Sequence, residues 1–287
     1  MRFNTPLRYP GGKGKLTNYI KAILAKNNLL GGVYVEPYTG GAGIALNLLM
    51  EDCVSDIYIN DLNLGVYSFW HSTLQNSEEM CRLIEETPVT MQEWHNQRSI
   101  FENPEKHTLL ETAFSTFFLN RTNRSGIIWG GVIGGKDQAG LWKLDARFNK
   151  SNLIERIRKI TNYTDRINLS NLDASSFIDK ITQTLPEKSL IYLDPPYYIK
   201  GKGLYQNHYS HNDHMLIAKK VQAEVNLPWI VSYDYTPEIL KMYKNNPSII
   251  YGINYSAQKK YTGAEIMFFS KQLKIPEVKN PVNLKIA

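Results

Sequence analysis

Short apolar runs that alternate with helix-period segments constrain the fold of this chain more than any other feature. Each run is bounded by turn residues, as expected for a buried strand. The predicted strands are Val33–Val35, Ile57–Ile59, Ile167–Leu169, Leu190–Leu193, Trp229–Ser232, Ile249–Ile253 and Ile266–Phe269. The clearest predicted helices are Gly43–Met50, Ser175–Ile181, His214–Val225 and Pro237–Lys244, the last with Thr236 as N-cap. This alternation predicts an α/β fold, with a mostly parallel sheet covered by helices on both faces and a ligand crevice at the carboxyl ends of its strands.

The alternation lapses between residues 64 and 161, which predicts an inserted, mainly helical domain. Helices are expected at Leu109–Leu119 and Leu153–Ile160. Between them, Asn120–Lys150 has paired glycines separated by short apolar runs, a pattern that predicts a β-hairpin with loops. The predicted division is therefore 1–63 with 162–270 as one domain, 64–161 as the inserted domain, and 271–287 as a loosely packed tail.

The basic charge of the chain is concentrated in two segments. The 287 residues carry 33 Lys and Arg against 27 Asp and Glu, a formal net charge of +6 with a pI near 9.0. Residues 1–26 hold six basic and no acidic side chains, and residues 120–160 hold nine basic and three acidic ones, so each segment carries +6 and the remainder carries −6. Two basic segments on an acidic-leaning body predict a polyanionic partner.

The cellular compartment is predicted from what the chain lacks. No run approaches 18 apolar residues, and the N-terminal segment has no apolar signal core. The two cysteines, Cys53 and Cys81, are too few for a disulfide framework. We therefore expect a cytoplasmic protein that does not span a membrane.

A glycine-rich turn connects the first predicted strand to the helix that begins at Gly43. Glycines let a ligand approach the backbone closely, and the turn leads it to a helix N-terminus. Glu36 precedes the turn and is placed to meet a cationic ligand such as the amino group of a methionine moiety; an ordinary strand-to-helix turn is the alternative. Asp61 ends the next strand, where it is expected either to accept hydrogen bonds from ribose hydroxyls or to cap the helix near Leu64.

The most specific motif is Asp194-Pro195-Pro196-Tyr197, which follows the strand Leu190–Leu193. Two consecutive prolines remove two backbone donors and restrict the backbone. They leave the Asp194 carboxylate and the Pro195 carbonyl as rigid acceptors beside an aromatic ring. This arrangement suits a planar ring with an exocyclic amino group, whose protons the two acceptors would bind while Tyr197 stacks on its face.

Together these motifs resemble those of the Dam family, the D12 class of adenine-N6 DNA methyltransferases, over nearly the whole chain. The segments that match are Arg8–Lys13, Glu36–Gly41, Phe118–Thr122, Asp194–Tyr197, Asp213-His214 and Val231–Tyr233. Their order is also that of the family, with the cofactor motif first, then the target-recognition region, then the catalytic motif. Two departures are small, because Tyr9 in place of tryptophan and Tyr38 in place of phenylalanine both keep an aromatic face.

The resemblance implies a Rossmann-like class I methyltransferase sheet and a target-recognition, DNA-binding domain at 64–161. It implies S-adenosylmethionine as methyl donor and no metal. The residues implied to bind this cofactor are Tyr9, Lys13, Glu36, Pro37, Tyr38, Gly40, Asp61, Asp173 and Asp194. The residues implied to be catalytic are Asp194, Pro195, Pro196 and Tyr197.

The reaction implied by the resemblance is methylation of the N6 amine of an adenine that has been flipped out of double-stranded DNA. Lys200–Gly203, directly after the catalytic motif, is expected to close over the extruded nucleotide. Cytosine-N4 methylation and a non-catalytic DNA-binding relative are the alternative functions. We expect a monomer whose partner is double-stranded DNA, with a separately acting restriction endonuclease as a further partner if the chain serves restriction-modification.

The candidate DNA contacts lie in the inserted segment. They are Asn120, Arg121, Asn123, Arg124, Ser125, Lys136 and Arg147. Asn and Arg side chains read adenine and guanine edges, and anchoring of the inserted domain is an equal alternative for 120–126. Trp129 and Trp142 are expected in the core.

The spacing of His208, His211 and His214 raises the question of a metal site. A helix start is the favoured interpretation, with Asn212 or Asp213 as N-cap, because no carboxylate and cysteine cluster accompanies the histidines.

Overall fold

The structure is a computed structural model that describes residues 4–8, 13–199, 209–255, 261–278 and 280–284. Its strands are β1 (Gly32–Glu36), β2 (Val54–Asn60), β3 (Ile167–Ser170), β4 (Ser189–Leu193), β5 (Trp229–Asp234), β6 (Ser248–Tyr255) and β7 (Tyr261–Phe269). Its α-helices are α1 (Thr17–Lys26), α2 (Gly43–Met50), α3 (Leu64–Gln75), α4 (Ser77–Glu86), α5 (Met91–Glu102), α6 (Leu109–Thr122), α7 (Lys150–Thr161), α8 (Ala174–Thr182), α9 (His211–Ala223) and α10 (Pro237–Met242). All seven predicted strands are confirmed.

The strands form one sheet in the order β3-β2-β1-β4-β5-β7-β6. The first five strands in this order are parallel, and β7 pairs antiparallel with both β5 and β6. The expectation of a mostly parallel sheet in an α/β fold is therefore confirmed. The order of the strands reverses between β1 and β4, and a reversal of this kind opens a crevice at the carboxyl ends of the two strands.

Both faces of the sheet are buried, as a parallel sheet requires. On one face, Val35 of β1, Leu193 of β4 and Val231 of β5 pack in a core cluster with side chains of α8, α9 and α10. The intervening residues of the same strands, such as Tyr34 and Ile230, are 0% exposed on the other face. There α2 contacts β1 and β2. The near-continuous apolar sequence of these strands follows from this double burial.

The chain divides into two compact units. One comprises Met1–Gly12 and Asn63–Asp165, and the other comprises Lys13–Leu62 and Arg166–Ala287. The unit with 63–165 contains α3 to α7, and the other contains the whole sheet. A capping box starts α6, with Thr108 accepting from the Glu111 backbone and Glu111 accepting from the Thr108 backbone. None of the helices in the described ranges has both the length and the apolar character to cross a membrane.

The β-hairpin predicted within Asn120–Lys150 is wrong. This segment forms two short 3-10 turns and a single antiparallel bridge between Asn123 and Val132. Side-chain hydrogen bonds hold its backbone, where a hairpin would have backbone hydrogen bonds between two strands. The Asn123 side-chain amide donates to the carbonyls of Ile127 and Ile128 at 3.2 and 2.7 Å. Gly134 and Gly135 have φ of 88° and 82°, a left-handed conformation that curls the chain into a loop.

Two predictions about element ends also need correction. Helix α9 starts earlier than expected, because Ser210 is its N-cap and Asp213 completes a capping box with it; neither Asn212 nor Asp213 is the cap. The C-terminal segment is not loosely packed where it is described. Asn27 and Lys26 of the α1 end donate to the carbonyls of Lys274 and Ile275, and Asn18 donates to that of Leu284.

Candidate active site

The carboxyl ends of β1 and β4 lie side by side where the strand order reverses. Glu36 ends β1, and Asp194 directly follows β4. Val35 pairs with Ile191 across the two strands. The topology thus brings together two acidic residues that are 158 positions apart in sequence. This is the site that the sequence motifs predicted at the edge of a parallel sheet.

The glycine-rich turn after β1 is held by hydrogen bonds from the neighbouring strand end. The Gly40 amide donates to Asp61 Oδ2 at 2.8 Å. Gly40 and Ala42 have φ of 45° and 49°, and Ala42 leads directly into α2. Asp61 therefore braces the turn, and the alternative that it caps α3 is wrong because Asn63 does so, accepting from the Val66 amide at 3.1 Å.

Asn60 is a second brace that sequence reasoning missed. Its side chain is 0% exposed. The amide nitrogen donates to the carbonyls of Pro37 and Leu172 at 3.0 and 2.9 Å, and the amide oxygen accepts from the Leu172 amide at 2.9 Å. One side chain thus connects the segments that follow β1 and β3 and fixes the distance between them.

Glu36 is a buried carboxyl with little compensation. Its side chain accepts from the Ala45 amide near the start of α2 at 3.2 Å, and the residue is 5% exposed. Burial raises the pKa of Glu36 to about 8, since removal from water disfavours the charged form. A carboxyl of this kind is poised to ionise when a cationic group binds beside it.

Aromatic side chains line the crevice next to the turn. The hydroxyls of Tyr38 and Tyr209 lie 2.9 Å apart, and their rings meet edge to face. Asp173 is exposed, and its carboxylate accepts from the amides of Ser175 and Ser176 as the N-cap of α8. Asp173 also contributes to raising the pKa of Tyr209, after burial, so its charge faces the same cleft. Tyr9 lies outside the described residues.

Asp194 is held by one of its two carboxylate oxygens. Ser232 Oγ donates to Oδ1 at 2.7 Å, and Tyr192 OH lies 2.9 Å from that same Ser232 oxygen. The Lys13 ammonium lies 3.4 Å from Oδ1. Within the described part of the chain, Oδ2 has no hydrogen-bond partner, and neither has the carbonyl of buried Pro195. These two oxygens are therefore available to a ligand that carries an NH2 group.

Below Asp194 lies a buried cluster that connects it to β7. Glu265 is 0% exposed and accepts from Lys13 Nζ at 2.6 Å, Tyr197 OH at 2.6 Å and Tyr251 OH at 2.7 Å. Tyr197 is itself 4% exposed, and its neighbour Pro196 is partly buried. The catalytic motif predicted from sequence is thus in contact with a lysine from the N-terminal segment and a glutamate from the antiparallel edge of the sheet.

Three carboxyls of the site have little positive charge beside them. In the described residues the Lys13 ammonium contacts partly exposed Asp194 and buried Glu265, and buried Glu36 has no ion pair. Burial raises the pKa of Asp194 and the Lys13 charge opposes that rise. The nearby carboxylates keep the pKa of Lys13 above its usual value although burial acts to lower it. Such a site favours a ligand with positive charge.

The residues proposed from sequence to contact DNA fall into two groups. Asn120 is 1% exposed, and its amide binds both the backbone of Arg8 and the carbonyl of Gly126. Asn123 is 0% exposed, and Arg121 donates to the carbonyls of Arg147 and Pro6. These three side chains anchor their own unit, which was the alternative interpretation. Arg124, Lys136 and Arg147 are exposed, and Ser125 is partly exposed.

Four arginines of this unit lie close together, and Glu155 is an acidic residue whose charge acts on one of them, Arg156. The four are Arg8, Arg121, Arg147 and Arg156. Burial and the charges of the other three lower the pKa of Arg121 to about 9. None of the four forms an ion pair in the described part of the chain, and Arg156 donates to the carbonyl of Thr5 at 2.9 Å. Guanidinium groups without an ion pair favour an anionic partner.

Two of the three histidines contact tyrosine hydroxyls, and the two tryptophans between α6 and α7 are exposed. Nδ1 of His211 lies 2.9 Å from Tyr198 OH, and Nδ1 of His214 lies 3.0 Å from Tyr233 OH. His208 and Lys200–Gly203 lie outside the described residues. The expectation that Trp129 and Trp142 are core residues is wrong, because they are 44% and 67% exposed.

Sequence reasoning missed Asn60, Ser232, Tyr251 and Glu265. Asn60, Ser232 and Glu265 each contact a predicted site residue, and Tyr251 contacts Glu265. Ser232 lies in the matched segment Val231–Tyr233, which was a signal that it belongs to the site. Glu265 lies next to the predicted apolar strand Ile266–Phe269. In sequence, a single acidic residue beside an apolar run indicates the end of a strand and gives no sign of a site. Only the pairing of β7 with β5 places it at the site.

Comparison with known proteins identifies the family. The model of the D12 class N6 adenine-specific DNA methyltransferases matches residues 9–259. That range spans most of the chain, including the β1 turn, the catalytic motif and the unit that contains 63–165. A comparison with curated proteins gave no significant match.

Among solved structures the similarities are weaker. A candidate RNA methyltransferase from Pyrococcus horikoshii is 9% identical with a TM-score of 0.42, over 92% of this chain and 86% of that chain. Precorrin 8W decarboxylase from Methanobacterium thermoautotrophicum is 10% identical with a TM-score of 0.36, over 88% of each chain. With TM-scores below 0.5, these similarities add nothing to the argument from the family and the site.

Replacement of Asn60 tests the brace behind the glycine turn. We expect Asn60→Ala to lower the free energy of unfolding by about 2–4 kcal/mol. The Pro37 carbonyl and the carbonyl and amide of partly buried Leu172 would lose the hydrogen-bond partner that they have in the described residues. Urea denaturation followed by circular dichroism measures this loss. Asn245→Ala, which removes an exposed amide, should change stability by less than about 0.5 kcal/mol. Equal effects of the two variants would contradict the role of Asn60.

Proposed function

The chain belongs to the D12 class of N6 adenine-specific DNA methyltransferases, enzymes that methylate the N6 amine of adenine in DNA, and we propose that Asp194 and the turn after Glu36 carry out this reaction. The observation that carries the proposal is the state of Asp194. One of its oxygens is held by Ser232 and Lys13, and the other is open beside the Pro195 carbonyl.

The family implies S-adenosylmethionine as methyl donor, and the cleft fits this molecule. When bound, it supplies an electrophilic methyl group on a sulfonium and carries an α-ammonium group. Its two positive charges outweigh its one carboxylate, which suits a cleft where buried Glu36 has no ion pair in the described residues and Asp194 shares Lys13 with Glu265. We assign the ammonium to Glu36, the ribose to Asp61, and the adenine ring to the cleft of Tyr38 and Asp173.

The remaining residues implied for the cofactor have supporting roles in this proposal. Pro37 and Gly40 shape the turn, through the Asn60 bond to the Pro37 carbonyl and the Asp61 bond to the Gly40 amide. Lys13 lies beside Asp194 and Glu265, so we assign it to the catalytic pocket, where it sets the charge of Asp194. Tyr9 keeps the role that the family resemblance implies.

The chemistry of the proposal concerns the nucleophile. The lone pair of adenine N6 is delocalised into the ring, which makes the amine a poor nucleophile. Hydrogen bonds from its two protons to Asp194 Oδ2 and the Pro195 carbonyl favour a pyramidal nitrogen. Its lone pair would form a bond to the methyl carbon as the bond from that carbon to the sulfonium sulfur breaks; the sulfur would leave as a neutral thioether, and one N6 proton would then be released to water. Because positive charge develops on N6 during the attack, the carboxylate stabilises the transition state more than the ground state.

The base reaches this pocket only if it leaves the duplex. We propose that the target adenine is flipped out, since the N6 atom of a paired base is inaccessible to an in-line methyl donor. The Tyr197 ring forms the wall on which the base stacks, and the bond from its hydroxyl to Glu265 orients that ring in advance. Pro196 restricts the backbone between the carboxylate and the ring.

The unit that contains 63–165 is proposed to bind double-stranded DNA and to recognise its target. Its exposed basic residues, Arg124, Lys136 and Arg147, are assigned to DNA together with partly exposed Ser125. The arginine cluster supports a polyanionic partner for the same unit. Asn120, Arg121 and Asn123 contribute indirectly by fixing the segment that carries Arg124. The family match favours adenine over the cytosine-N4 alternative.

Loss of the Asp194 carboxylate tests the mechanism. We expect Asp194→Ala to reduce methyl transfer by about 1000-fold or more, because no other described group accepts the N6 proton at this position. Transfer of tritium from labelled cofactor to DNA measures the rate, and circular dichroism confirms the fold. Ser232→Ala, which removes the bond to Oδ1 together with the contact to Tyr192 OH and leaves the carboxylate in place, should reduce the rate by about 10-fold. Near-normal turnover of Asp194→Ala would refute the mechanism.

The raised pKa of Glu36 predicts how cofactor affinity depends on pH. Below pH 8 the empty site holds Glu36 largely protonated, and binding of a cation requires the proton to leave. Affinity should therefore rise from pH 6.5 to about 8 with proton release and level off above it. Calorimetry at several pH values, in buffers of different ionisation enthalpy, measures both effects.

Glu36→Gln isolates this contribution from the titration of the cofactor itself. The variant should bind the cofactor about 10-fold more weakly at pH 8.5 and should lose the part of the pH dependence that Glu36 supplies. Glu238→Gln, which neutralises an exposed carboxylate on α10, should bind as the wild type does. Identical pH profiles for wild type and Glu36→Gln would contradict the assignment.

Salt dependence tests the DNA-binding residues. Each phosphate contact contributes about −0.9 to the slope of log affinity against log salt. The triple variant Arg124→Ala, Lys136→Ala, Arg147→Ala should therefore reduce the magnitude of the slope by about 2–3. The triple variant Lys219→Ala, Lys241→Ala, Lys244→Ala removes the same charge from the other unit and should leave the slope within about 0.5 of wild type. A flat slope for the wild-type protein would contradict phosphate binding altogether.

A further inference from the structure

Glu265 is a buried carboxylate for which the mechanism above has no direct use. It is 0% exposed and lies on β7, which is antiparallel to β5. Isolated burial of a carboxylate is costly, and such groups persist when they are paired and hydrogen-bonded. Glu265 accepts from three side chains that come from three separate parts of the chain, Lys13, Tyr197 and Tyr251. Two of these are also next to Asp194 in space or sequence.

Lys13 is shared unequally between two carboxylates. Its ammonium hydrogen-bonds Glu265 at 2.6 Å and lies 3.4 Å from Asp194 Oδ1. The shorter contact is to the carboxylate that does not face the substrate. Without Glu265, electrostatic attraction would draw the ammonium fully onto Asp194, the other carboxylate that it contacts in the described residues. Glu265 thus holds the ammonium close enough to stabilise the charged form of Asp194. It also keeps the ammonium too far from Asp194 to take the place of the substrate amine.

The second contact fixes the aromatic member of the catalytic motif. Tyr197 OH donates to Glu265 Oε1 at 2.6 Å and lies 3.3 Å from Lys13 Nζ. The ammonium also lies 5.3 Å from the centre of the Tyr197 ring. The two oxygens of one carboxylate therefore hold the lysine and the ring at the same time, one with each.

We propose that Glu265 is the positioning residue of this active site, which sets the place of Lys13 and of the Tyr197 ring so that Asp194 keeps one oxygen open for the substrate amine. The inference rests on the function proposed above. Glu265 does not touch the substrate in this arrangement and acts through the residues that it holds.

The charge of Asp194 depends on groups from every element around it. Those that face it are Lys13 from the N-terminal 3-10 turn, Glu36 and Tyr34 of β1, Tyr192 of β4, Tyr197 of the motif, Ser232 and Tyr233 of β5, and Glu265 of β7. Of these, Lys13 lowers the pKa of Asp194 and Glu265 raises it, while burial is the largest contribution and raises it. Changes to the two residues should therefore move the titration of Asp194 in opposite directions.

The experiment compares three variants by a direct titration and by a rate. Carboxyl carbon NMR of cofactor-free protein labelled at aspartate, with the Asp194 signal assigned by Asp194→Asn, follows its protonation. We expect Glu265→Gln to lower the apparent pKa of Asp194 and Lys13→Met to raise it, each by about one unit or more. The double variant should lie between the two, because the opposing charges are removed together.

The rate is measured as single-turnover methyl transfer to an adenine-containing duplex with saturating cofactor. Glu265→Gln should lower it by about 10- to 100-fold, because Lys13 and the Tyr197 ring lose their common support. The acid limb of its pH profile should move to lower pH, and Glu265→Asp, which keeps the charge, should restore the wild-type limb. Cofactor affinity, measured by calorimetry, should change by less than about threefold, since the assigned cofactor contacts are elsewhere in the cleft.

Paired tyrosine variants protect the test against a folding defect in Glu265→Gln. Tyr251→Phe removes a hydroxyl that donates to Glu265, and Tyr243→Phe removes a buried hydroxyl of the core cluster beside α10 that has no hydrogen-bond partner in the described residues. We expect Tyr251→Phe to lower the single-turnover rate by about 3- to 10-fold and Tyr243→Phe to leave it unchanged.

The outcomes separate this inference from the proposed function. If wild-type protein methylates adenine while Glu265→Gln keeps the wild-type rate and the wild-type Asp194 titration, the positioning role is refuted. The same conclusion follows if Glu265→Gln loses stability and rate without any movement of the titration, or if both tyrosine variants behave alike. If wild-type protein transfers no methyl group to adenine, the proposed function fails, and the NMR titration still decides how Glu265 and Lys13 act on Asp194.

Discussion

The parallel pairing of β1 with β4 is the constraint on which the rest of the structure depends. It is the point at which the strand order reverses, so the loops that follow the two strands turn to opposite sides and leave a crevice between them. The glycine turn and the catalytic motif are each attached to one of these strands. Their separation is set by the parallel backbone pairing of β1 with β4 in the sheet. A displacement of either strand would separate Glu36 from Asp194.

The crevice concentrates charge where burial makes charge expensive. Glu36, Asp194 and Glu265 would each be less costly in water, and the structure compensates them to different degrees. Among the described residues, Glu265 has three side-chain donors, Asp194 has a serine and a shared lysine, and Glu36 has a backbone amide. This difference in the number of donors is informative, because the carboxyls with the fewest donors are the ones that we assign to ligands. A ligand that brings positive charge completes the site, so that affinity and electrostatic balance have the same origin.

The fold was predictable from sequence to the extent that it depends on local apolar pattern. The strand Leu190–Leu193 is apolar because both of its faces are buried, and that pattern is visible without a structure. The start of α9 was misplaced because Ser210, Asn212 and Asp213 are all good caps, and the choice among them is made by the Ser210–Asp213 capping box. The loop at 120–150 was misread for a related reason: paired glycines permit a hairpin but also permit the left-handed turns found at Gly134 and Gly135. The site residues that lie in one continuous motif were predictable from sequence. The role of Glu265 was not, because its partner Lys13 is 252 positions away.

Charge counted along the sequence is a poor guide to charge on the surface, and the N-terminal segment shows why. Its six basic residues gave one of the two predicted patches. In the structure Lys13 is turned inward to two carboxylates, Lys21 pairs with Glu51, Lys26 binds a backbone carbonyl and Arg8 does the same through Asn123. Most of the described basic side chains of that segment therefore bind carboxylates or backbone carbonyls of the protein itself. The segment 120–160 keeps Arg124, Lys136, Lys143 and Arg147 exposed, so the positive surface that phosphates can meet belongs mainly to it. Segments with the same net charge of +6 thus use it differently: one directs much of it inward, and the other keeps it exposed, where we propose that it meets the polyanion.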